Sequence, residues 1–320
     1  MGRASNVLPS SPRSIDDINR MTFRKRFIRE RVWYVMMILP LLYYVIFHYV
    51  PMVGIVLAFK DYSIPRGFFG SEWVGFRWFM QFFKSFYFWR LIRNTLLINF
   101  YGILFGFPVP IIFALLLNEV RAIAFKRVVQ TVSYLPYFIS VVIVVGMMVN
   151  FLSPNSGLIN IAIKAGGGEA VNFMGQQKWF RPLYVGSNIW QYFGFGSIIY
   201  LAAMAGINLE LYDAARVDGC SRLKRIRFIT IPGIAPTIII LLILRMGSML
   251  TVGFEKILLM YSPGTYEVAD VIATYVYRRG IISGEYSFAA AVGLFGNLVN
   301  LLFLVTFNRL ARKFSDTSLW

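Results

Sequence analysis

The chain has 320 residues, of which 58% are hydrophobic and 15% are charged. Soluble domains carry about 25% charged residues, so this chain has too few charged side chains to coat a water-soluble globule, and an ordinary soluble enzyme is excluded. The net charge of +17 would suit a nucleic-acid partner, but basic residues also flank the cytoplasmic ends of membrane helices. We favour the second interpretation and predict an all-α polytopic membrane protein that contacts lipid and no nucleic acid.

The first element is a polar and then basic segment, residues 1–31, which predicts a cytoplasmic tail. Six apolar blocks follow, each long enough to cross a bilayer. They predict that residues 32–320 form a transmembrane domain with spans at 32–59, 94–117, 129–151, 183–206, 234–258 and 287–308.

The basic residues of the connecting segments give the orientation. With the N-terminus inside, the inner segments contain 19 Lys and Arg residues and the outer segments contain 11. This excess agrees with the positive-inside rule, and an even number of spans then places both termini in the cytoplasm. One cysteine, Cys220, and one histidine, His48, exclude a disulfide framework and a Cys/His metal cluster. We therefore expect no metal site.

The polar segment Leu209–Pro236, LELYDAARVDGCSRLKRIRFITIPGIAP, connects the fourth and fifth blocks on the predicted inner face. Apolar residues recur at near-helical spacing from Leu211 to Val217, which predicts a short amphipathic helix, and Gly219 suits its C-terminal cap. Physical reasoning leaves two interpretations open. In the first, a cytoplasmic partner binds this helix and moves the attached spans. In the second, the helix only lies on the lipid surface.

This segment resembles the EAA loop in permeases of binding-protein-dependent ABC importers. Aspartate replaces the usual glutamate of the triplet, and isoleucine replaces the usual leucine near the end of the motif. The matching residues are Asp213, Ala214, Ala215, Gly219, Ile229, Ile231 and Pro232. The segments RPLYVGSNIWQYFGFGSIIYLAA, LRMGSMLTVGFEKILLMYSP and SDTSLW resemble the oligosaccharide and polysaccharide branch, with its LplB-like, alginate-importer and maltose-type permeases. The resemblance covers about residues 25–320.

The resemblance implies a type I ABC importer fold with six transmembrane helices and a cytoplasmic coupling helix in the loop 207–233. It implies a non-catalytic permease subunit of the bacterial inner membrane that imports an oligosaccharide. The partners would be a second permease in a heterodimer, two ATPase subunits that bind ATP and magnesium, and an extracytoplasmic solute-binding protein. This chain itself would bind no cofactor. The residues implied to dock on the ATPase are Tyr212, Asp213, Ala214, Ala215, Asp218 and Gly219.

Polar residues inside the fourth and fifth blocks are candidates for the substrate pathway, because polar groups are costly in hydrocarbon and face a cavity or a neighbour. The candidates are Asn188, Trp190, Gln191, Tyr192, Arg245, Ser248, Thr251 and Glu255. Alternatives stay open: Trp190 and Tyr192 would also suit an interfacial aromatic belt, and Glu255 and Lys256 would also suit pairing or snorkelling at the outer edge. If the substrate is an acidic glycan such as alginate, Arg245 is its natural counter-charge.

Two other functions compete with transport. An integral membrane enzyme acting on lipids or glycans would need a cluster of intramembrane Asp, His or Cys residues, which these blocks lack. A passive channel would leave the EAA-like loop without a role. For the permease, the outer segments around Trp73, Trp78 and Trp89 and residues 259–286 are predicted to dock the solute-binding protein.

Overall fold

The computed structural model describes residues 23–314 and Ser318. Most of the predicted tail, residues 1–31, and most of the C-terminal SDTSLW segment lie outside the described residues. Contacts divide the chain into two units, Met1–Val56 and Leu57–Trp320, and each is described by itself.

The described part of the first unit is helical. Nearly all of its described side chains are exposed, as expected of a helix that is apolar all round and surrounded by lipid. Its proline at position 51, which lacks a backbone N–H, is the second residue after the π-helical stretch Val45–Tyr49. The helical segments are Phe23–Tyr44, Val45–Tyr49 (π-helix), Val50–Met52 and the 3₁₀-helix Val53–Phe59, which continues into the second unit.

The second unit contains one short hairpin, in which β1 (Lys60–Asp61) pairs antiparallel with β2 (Glu72–Trp73). The other regular elements described in this unit are helices. The α-helices are Gly67–Gly70, Arg77–Phe83, Phe88–Tyr101, Pro108–Glu119, Ile123–Tyr134, Val141–Phe151, Leu158–Ala165, Gln177–Ala205, Leu209–Val217, Arg222–Arg225, Ile231–Met246, Phe254–Met260, Tyr266–Ala269, Ile272–Tyr277 and Tyr286–Phe314. Short 3₁₀ segments lie at Ile64–Arg66 and Leu135–Phe138, and π-helical segments at Gly102–Gly106, Ile226–Thr230 and Arg278–Ile282.

Four helical stretches of the described residues are long and apolar enough to cross a membrane: Glu30–Phe59, Phe88–Glu119, Arg222–Met246 and Tyr286–Lys313. Two further pairs of helices pass the same test but are bent at a short break. Ile123–Phe138 and Val141–Phe151 meet at 97°, and Gln177–Ala205 and Leu209–Val217 meet at 73°. Residues 23–314 therefore contain four to six candidate spans.

The prediction that the third apolar block, 129–151, forms one continuous helix is wrong, because the chain bends within it. Pro136 lies in the 3₁₀ segment before the break and lacks the N–H that a continuing helix needs. Ser140 then has an extended backbone, and its side chain accepts a hydrogen bond from the N–H of Ile143, which caps a new helix.

The predicted limits of the fifth block, 234–258, are also wrong. The helix begins at Arg222, runs through the π-helical stretch Ile226–Thr230 and ends at Met246. The basic residues near its start are therefore part of a helix rather than of a loop. After Met246 the chain turns at Gly247, where a Cβ atom would lie 2.6 Å from the Leu304 side chain, so the glycine permits close packing. Residues 251–253 are not helical.

The largest cluster of buried apolar residues in the described part of the chain joins the N-terminal half of helix Gln177–Ala205 to the segment after residue 250. Phe180 and Tyr184 of this helix pack in one cluster with Ile257, Met260 and Val271. Close packing of this kind, rather than the hydrophobic effect, holds helices together inside a bilayer. The cluster fixes the walls of the cavity described next.

Candidate functional site

A cavity of about 860 Å³ lies between helices Phe88–Tyr101 and Gln177–Ala205 and residues 241–256. Five of the eight predicted pathway residues line it: Asn188, Tyr192, Arg245, Thr251 and Glu255. Its volume is within the range of small-molecule sites.

The helix Gln177–Ala205 presents one row of side chains to the cavity. The row consists of residues four apart, which lie on the same face of a helix: Tyr184, Asn188, Tyr192, Gly196 and Tyr200. Trp190 lies off this row, does not line the cavity and is 42% exposed.

The side chains of Gln191 and Ser248 do not line the cavity. Each donates a hydrogen bond to a backbone carbonyl of the protein. Gln191 is 1% exposed, and its amide nitrogen donates to the backbone carbonyl of Ile139 at 2.9 Å, next to the break in the third block. The Ser248 hydroxyl donates to the carbonyl of Arg245 at 2.9 Å, within the turn that ends the helix.

Lys256 lines the cavity but is not one of the predicted pathway residues. It does not snorkel, because it is only 3% exposed. Its Nζ donates to Oδ1 of Asn188 at 2.9 Å and to Oε1 of Gln191 at 3.4 Å. The same signal that singled out Arg245, a cation within an apolar block, would have found it.

Two asparagines hold the non-helical wall of the cavity. Nδ2 of Asn99 donates to the carbonyls of Met249 at 2.9 Å and Thr251 at 3.3 Å. Asn300 accepts from the backbone N–H of Leu250 at 2.7 Å and donates to Oγ1 of Thr251 at 2.9 Å. These side chains satisfy backbone groups that the broken helix leaves unpaired.

The predicted short helix after the fourth block is present as Leu209–Val217. Asn208 caps its start by accepting a hydrogen bond from the N–H of Glu210 at 3.0 Å. Its end is a Schellman motif: the N–H of Gly219 bonds to the carbonyl of Arg216, and the N–H of Cys220 to that of Ala215. Gly219 has φ of +68°, which glycine adopts without strain.

The docking candidates divide into two groups on this helix. Tyr212 is half-buried, and its hydroxyl shares a 2.8 Å hydrogen bond with the buried Thr230 hydroxyl, so it fastens the helix to the following span. The other candidates face outward or lie at the surface: Asp213, Ala214, Ala215, Asp218 and Gly219. Asp213 pairs with Arg216 at 2.8 Å, and Val217 is 89% exposed.

On the predicted outer side, Glu267 forms ion pairs with Arg90 at 3.1 Å and with Arg93 at 3.0 Å. The hydrogen bond from Arg90, with that from Arg93, lowers the pKa of Glu267 below its ordinary value. Trp73 and Trp89 are exposed. The third tryptophan, at position 78, is partly buried and donates its indole N–H to a backbone carbonyl.

Within the described residues no group of three or more His, Cys, Asp or Glu side chains is arranged to hold a metal ion.

Comparison with known proteins identifies clear relatives. Residues 106–316 match the family model described as binding-protein-dependent transport system inner membrane component. Protein LplB of Bacillus subtilis (strain 168) is 46% identical over 292 residues, which are 91% of this chain and 92% of LplB. The polygalacturonan/rhamnogalacturonan transport system permease protein YteP of the same organism is 43% identical over 295 residues, 92% of each chain.

Solved structures agree with these matches. A chain in the crystal structure of a bacterial alginate ABC transporter, in complex with an alginate pentasaccharide-bound periplasmic protein, has a TM-score of 0.85 and 44% identity. The alignment covers 93% of this chain and 99% of that one.

Proposed function

The chain belongs to the family of inner membrane components of binding-protein-dependent transport systems, and from this membership we propose that it is the permease subunit of an ATP-driven importer of oligosaccharides. The family makes it a multi-pass inner-membrane protein with the type I ABC permease fold and a non-catalytic translocation subunit. The alternative of an integral membrane enzyme has no support among these relatives.

The observation that carries the substrate class is the cavity in the helical bundle. Amide and phenol groups, from Asn188 and Tyr192, line a space of about 860 Å³ beside aromatic side chains. Amides can hydrogen-bond sugar hydroxyls, and aromatic rings offer an apolar face for a pyranose. Two relatives of high identity are described as transporters of polysaccharides, one of polygalacturonan/rhamnogalacturonan and the other of alginate. Their descriptions support an oligosaccharide substrate for this chain.

The proposed assembly contains a second permease in a heterodimer, two ATPase subunits that bind ATP and magnesium, and a solute-binding protein. The alginate transporter's complex with a periplasmic protein supports this assembly. The outer segments that carry Trp73 and Trp89, together with residues 259–286, would dock the solute-binding protein, whereas Trp78 would support them from inside.

The proposed topology has six spans and both termini in the cytoplasm, with residues 1–31 as an inner tail. Each bent pair then contributes one span. The third span would run through the break at Ile139, and helix Gln177–Ala205 would form the fourth. Helix Leu209–Val217 would lie on the cytoplasmic surface as the coupling helix of the loop 207–233.

Coupling to the ATPase would use the outward-facing part of this helix. Exposed Ala214 and half-buried Ala215 allow close approach, and exposed Val217 supplies an apolar contact. Asp213, Asp218 and Gly219 would lie at the same interface. Tyr212 would transmit the movement through its bond to Thr230 rather than touch the ATPase.

The test is uptake of labelled uronate and neutral oligosaccharides by the whole transporter in proteoliposomes, with ATP and the binding protein supplied. We expect the wild-type transporter to take up the labelled oligosaccharide. We expect the Gly219→Val transporter to lose uptake and to release the ATPase, because a branched side chain is strained at positive φ. Gly167→Val is the matched control. Gly167 also has positive φ, +83°, and open space around its Cβ position, but lies on the predicted outer side and outside the segments proposed to dock the binding protein. ATP-driven uptake of no oligosaccharide would contradict the proposed function, and equal loss in both variants would contradict the coupling role.

A further inference from the structure

Lys256 is a buried cation whose hydrogen-bond partners are both neutral. It belongs to helix Phe254–Met260, lines the cavity and is only 3% exposed. Its ammonium group donates to the side-chain oxygens of Asn188 and Gln191, and within the described part of the chain it forms no ion pair with a carboxylate. A buried charge is normally paired with an opposite charge, because leaving water is costly. Stability alone therefore explains the position of this ammonium group poorly.

The two amides lie three residues apart on helix Gln177–Ala205, and residues with this spacing are neighbours on one face of a helix. One ammonium group can thus reach both, at 2.9 Å from Oδ1 of Asn188 and at 3.4 Å from Oε1 of Gln191. Lysine has three N–H donors and no acceptor, so only the oxygen atoms of these amides can bond to it. Lys256 thereby determines the orientation of both amide groups.

Gln191 anchors this arrangement to the third block. It is 1% exposed and does not line the cavity, and its amide nitrogen donates to the backbone carbonyl of Ile139 at 2.9 Å. Both ends of the amide are therefore engaged, the nitrogen by a carbonyl and the oxygen by the ammonium group. Because the amide cannot turn over without losing both bonds, Gln191 holds the ammonium group in place.

Asn188 differs from Gln191 because it lines the cavity. Its oxygen is engaged by Lys256, so the amide nitrogen, with its two N–H donors, is the end that a ligand can use. An amide without such a partner can turn over and offer its oxygen instead. The lysine thus makes the side chain of Asn188 a hydrogen-bond donor at a defined place in the cavity wall.

We propose that Lys256 is a positioning residue for sugar binding, which directs the amide nitrogen of Asn188 toward the substrate as a donor to a sugar oxygen. Asn188 contacts the substrate, and Lys256 acts through Asn188. The inference rests on the proposed function and names, within the same cavity, the residue that orients one of its contacts.

A double-mutant cycle separates positioning from direct contact. The measurement is equilibrium binding, to the purified permease–ATPase complex, of the labelled oligosaccharide that the wild-type transporter takes up in the uptake assay. We expect Asn188→Ala to lower the affinity about three- to tenfold, the size of one neutral hydrogen bond, and Lys256→Met to lower it by a similar factor. In the Asn188→Ala background, Lys256→Met should have no further effect, because the two substitutions remove the same interaction.

The variant Asn188→Asp tests the orientation of the amide directly. A carboxylate keeps the acceptor for Lys256 and gives the ammonium group an opposite charge, but it has no N–H to donate. We expect the affinity to fall as far as in Asn188→Ala, while the melting temperature of the complex stays at or above the wild-type value. A merely structural role of the pair would lower affinity and melting temperature together.

The matched control is Asn172→Asp, which makes the same chemical change outside the cavity wall. The side-chain oxygen of Asn172 accepts a hydrogen bond from the N–H of Gly175 at 2.9 Å, and a carboxylate keeps this role. Affinity and melting temperature should therefore both be unchanged.

Full affinity in Asn188→Asp, or additive effects of Lys256→Met and Asn188→Ala, would overturn this inference. A melting temperature of Asn188→Asp that falls together with its affinity would overturn it as well. Failure of the proposed function is a different result, since the uptake assay then detects transport of no oligosaccharide.

Discussion

At the scale of single residues, Glu267 shows how one carboxylate joins two segments on the predicted outer side. It accepts hydrogen bonds from Arg90 and Arg93 of helix Phe88–Tyr101, and its backbone carbonyl accepts from Nδ2 of Asn94 at 2.9 Å. Its ionised form is therefore favoured in the folded protein. Such a carboxylate contributes stability above its unfolded pKa, and this contribution disappears as the pH falls through the lowered folded pKa.

We predict that Glu267→Gln lowers the melting temperature of the purified complex by a constant amount from pH 7 down to about pH 5. Below the ordinary pKa of 4.5 the difference from wild type should shrink, because the wild-type carboxylate also becomes neutral. Thermal unfolding followed across this pH range measures the effect. Glu169→Gln, at an exposed carboxylate in the glycine-rich segment after helix Leu158–Ala165, is the control and should leave the melting temperature unchanged. A difference that grows below pH 4.5 would contradict the assignment.

At the scale of elements, the contact between helices Gln177–Ala205 and Ile123–Tyr134 depends on Gly194. A Cβ atom at this position would lie 2.0 Å from the carbonyl oxygen of Ser133, so the two backbones are in direct contact. Small residues permit this close approach between helices in membranes. The contact holds the cavity-lining helix against the bent third block.

We predict that Gly194→Ala destabilises the protein by about 1–3 kcal/mol, the usual cost of overpacking, since the Ser133 backbone has to move. Gly186→Ala is the matched control on the same helix, because a Cβ atom there meets nothing within 4 Å. Alanine is favoured over glycine inside helices, so the control should be neutral or slightly stabilising. The measurement is the melting temperature of the two purified variants. Equal melting temperatures would show that the helices are not in close contact.

Hydropathy predicted most of the elements but not their breaks. The first, second and sixth blocks are long helices close to the predicted limits. A continuous apolar run is enough to predict such a helix, because its position does not depend on contacts with distant segments. The fifth block failed at both ends. Apolar residues continue past Met246, and only distant side chains, Asn99 and Asn300, allow the backbone to leave the helix there.

In the candidate site, too, local features could be predicted from the sequence and contacts between distant segments could not. Asn188 and Tyr192, which line the cavity, were predicted from polarity within an apolar block, which is a local property of the sequence. The internal roles of Gln191, with Ile139, and of Tyr212, with Thr230, depend on contacts between segments 52 and 18 residues apart. The resemblance of the loop after the fourth block was more informative than either, and the match over residues 106–316 confirmed the family.

At the scale of the whole molecule, orientation in the membrane connects the cavity, the surface helix and the outer ion pairs. The excess of basic residues predicts that the loop 207–233 is cytoplasmic. If so, the Schellman turn at Gly219 lies on the side of ATP, and the Glu267 cluster lies on the side from which a binding protein delivers sugar.

The single cysteine of the chain makes this orientation directly measurable. Cys220 follows the turn at Gly219 and is partly exposed. We predict that a membrane-impermeant maleimide labels it in inverted vesicles and not in intact spheroplasts, because thiol access depends on the side of the membrane. The control is the double variant Cys220→Ser with Ser283→Cys. It moves the thiol to an exposed residue of the predicted outer segment and should reverse the pattern. Labelling of Cys220 from the outside would place the surface helix away from the ATPase and refute the proposed coupling.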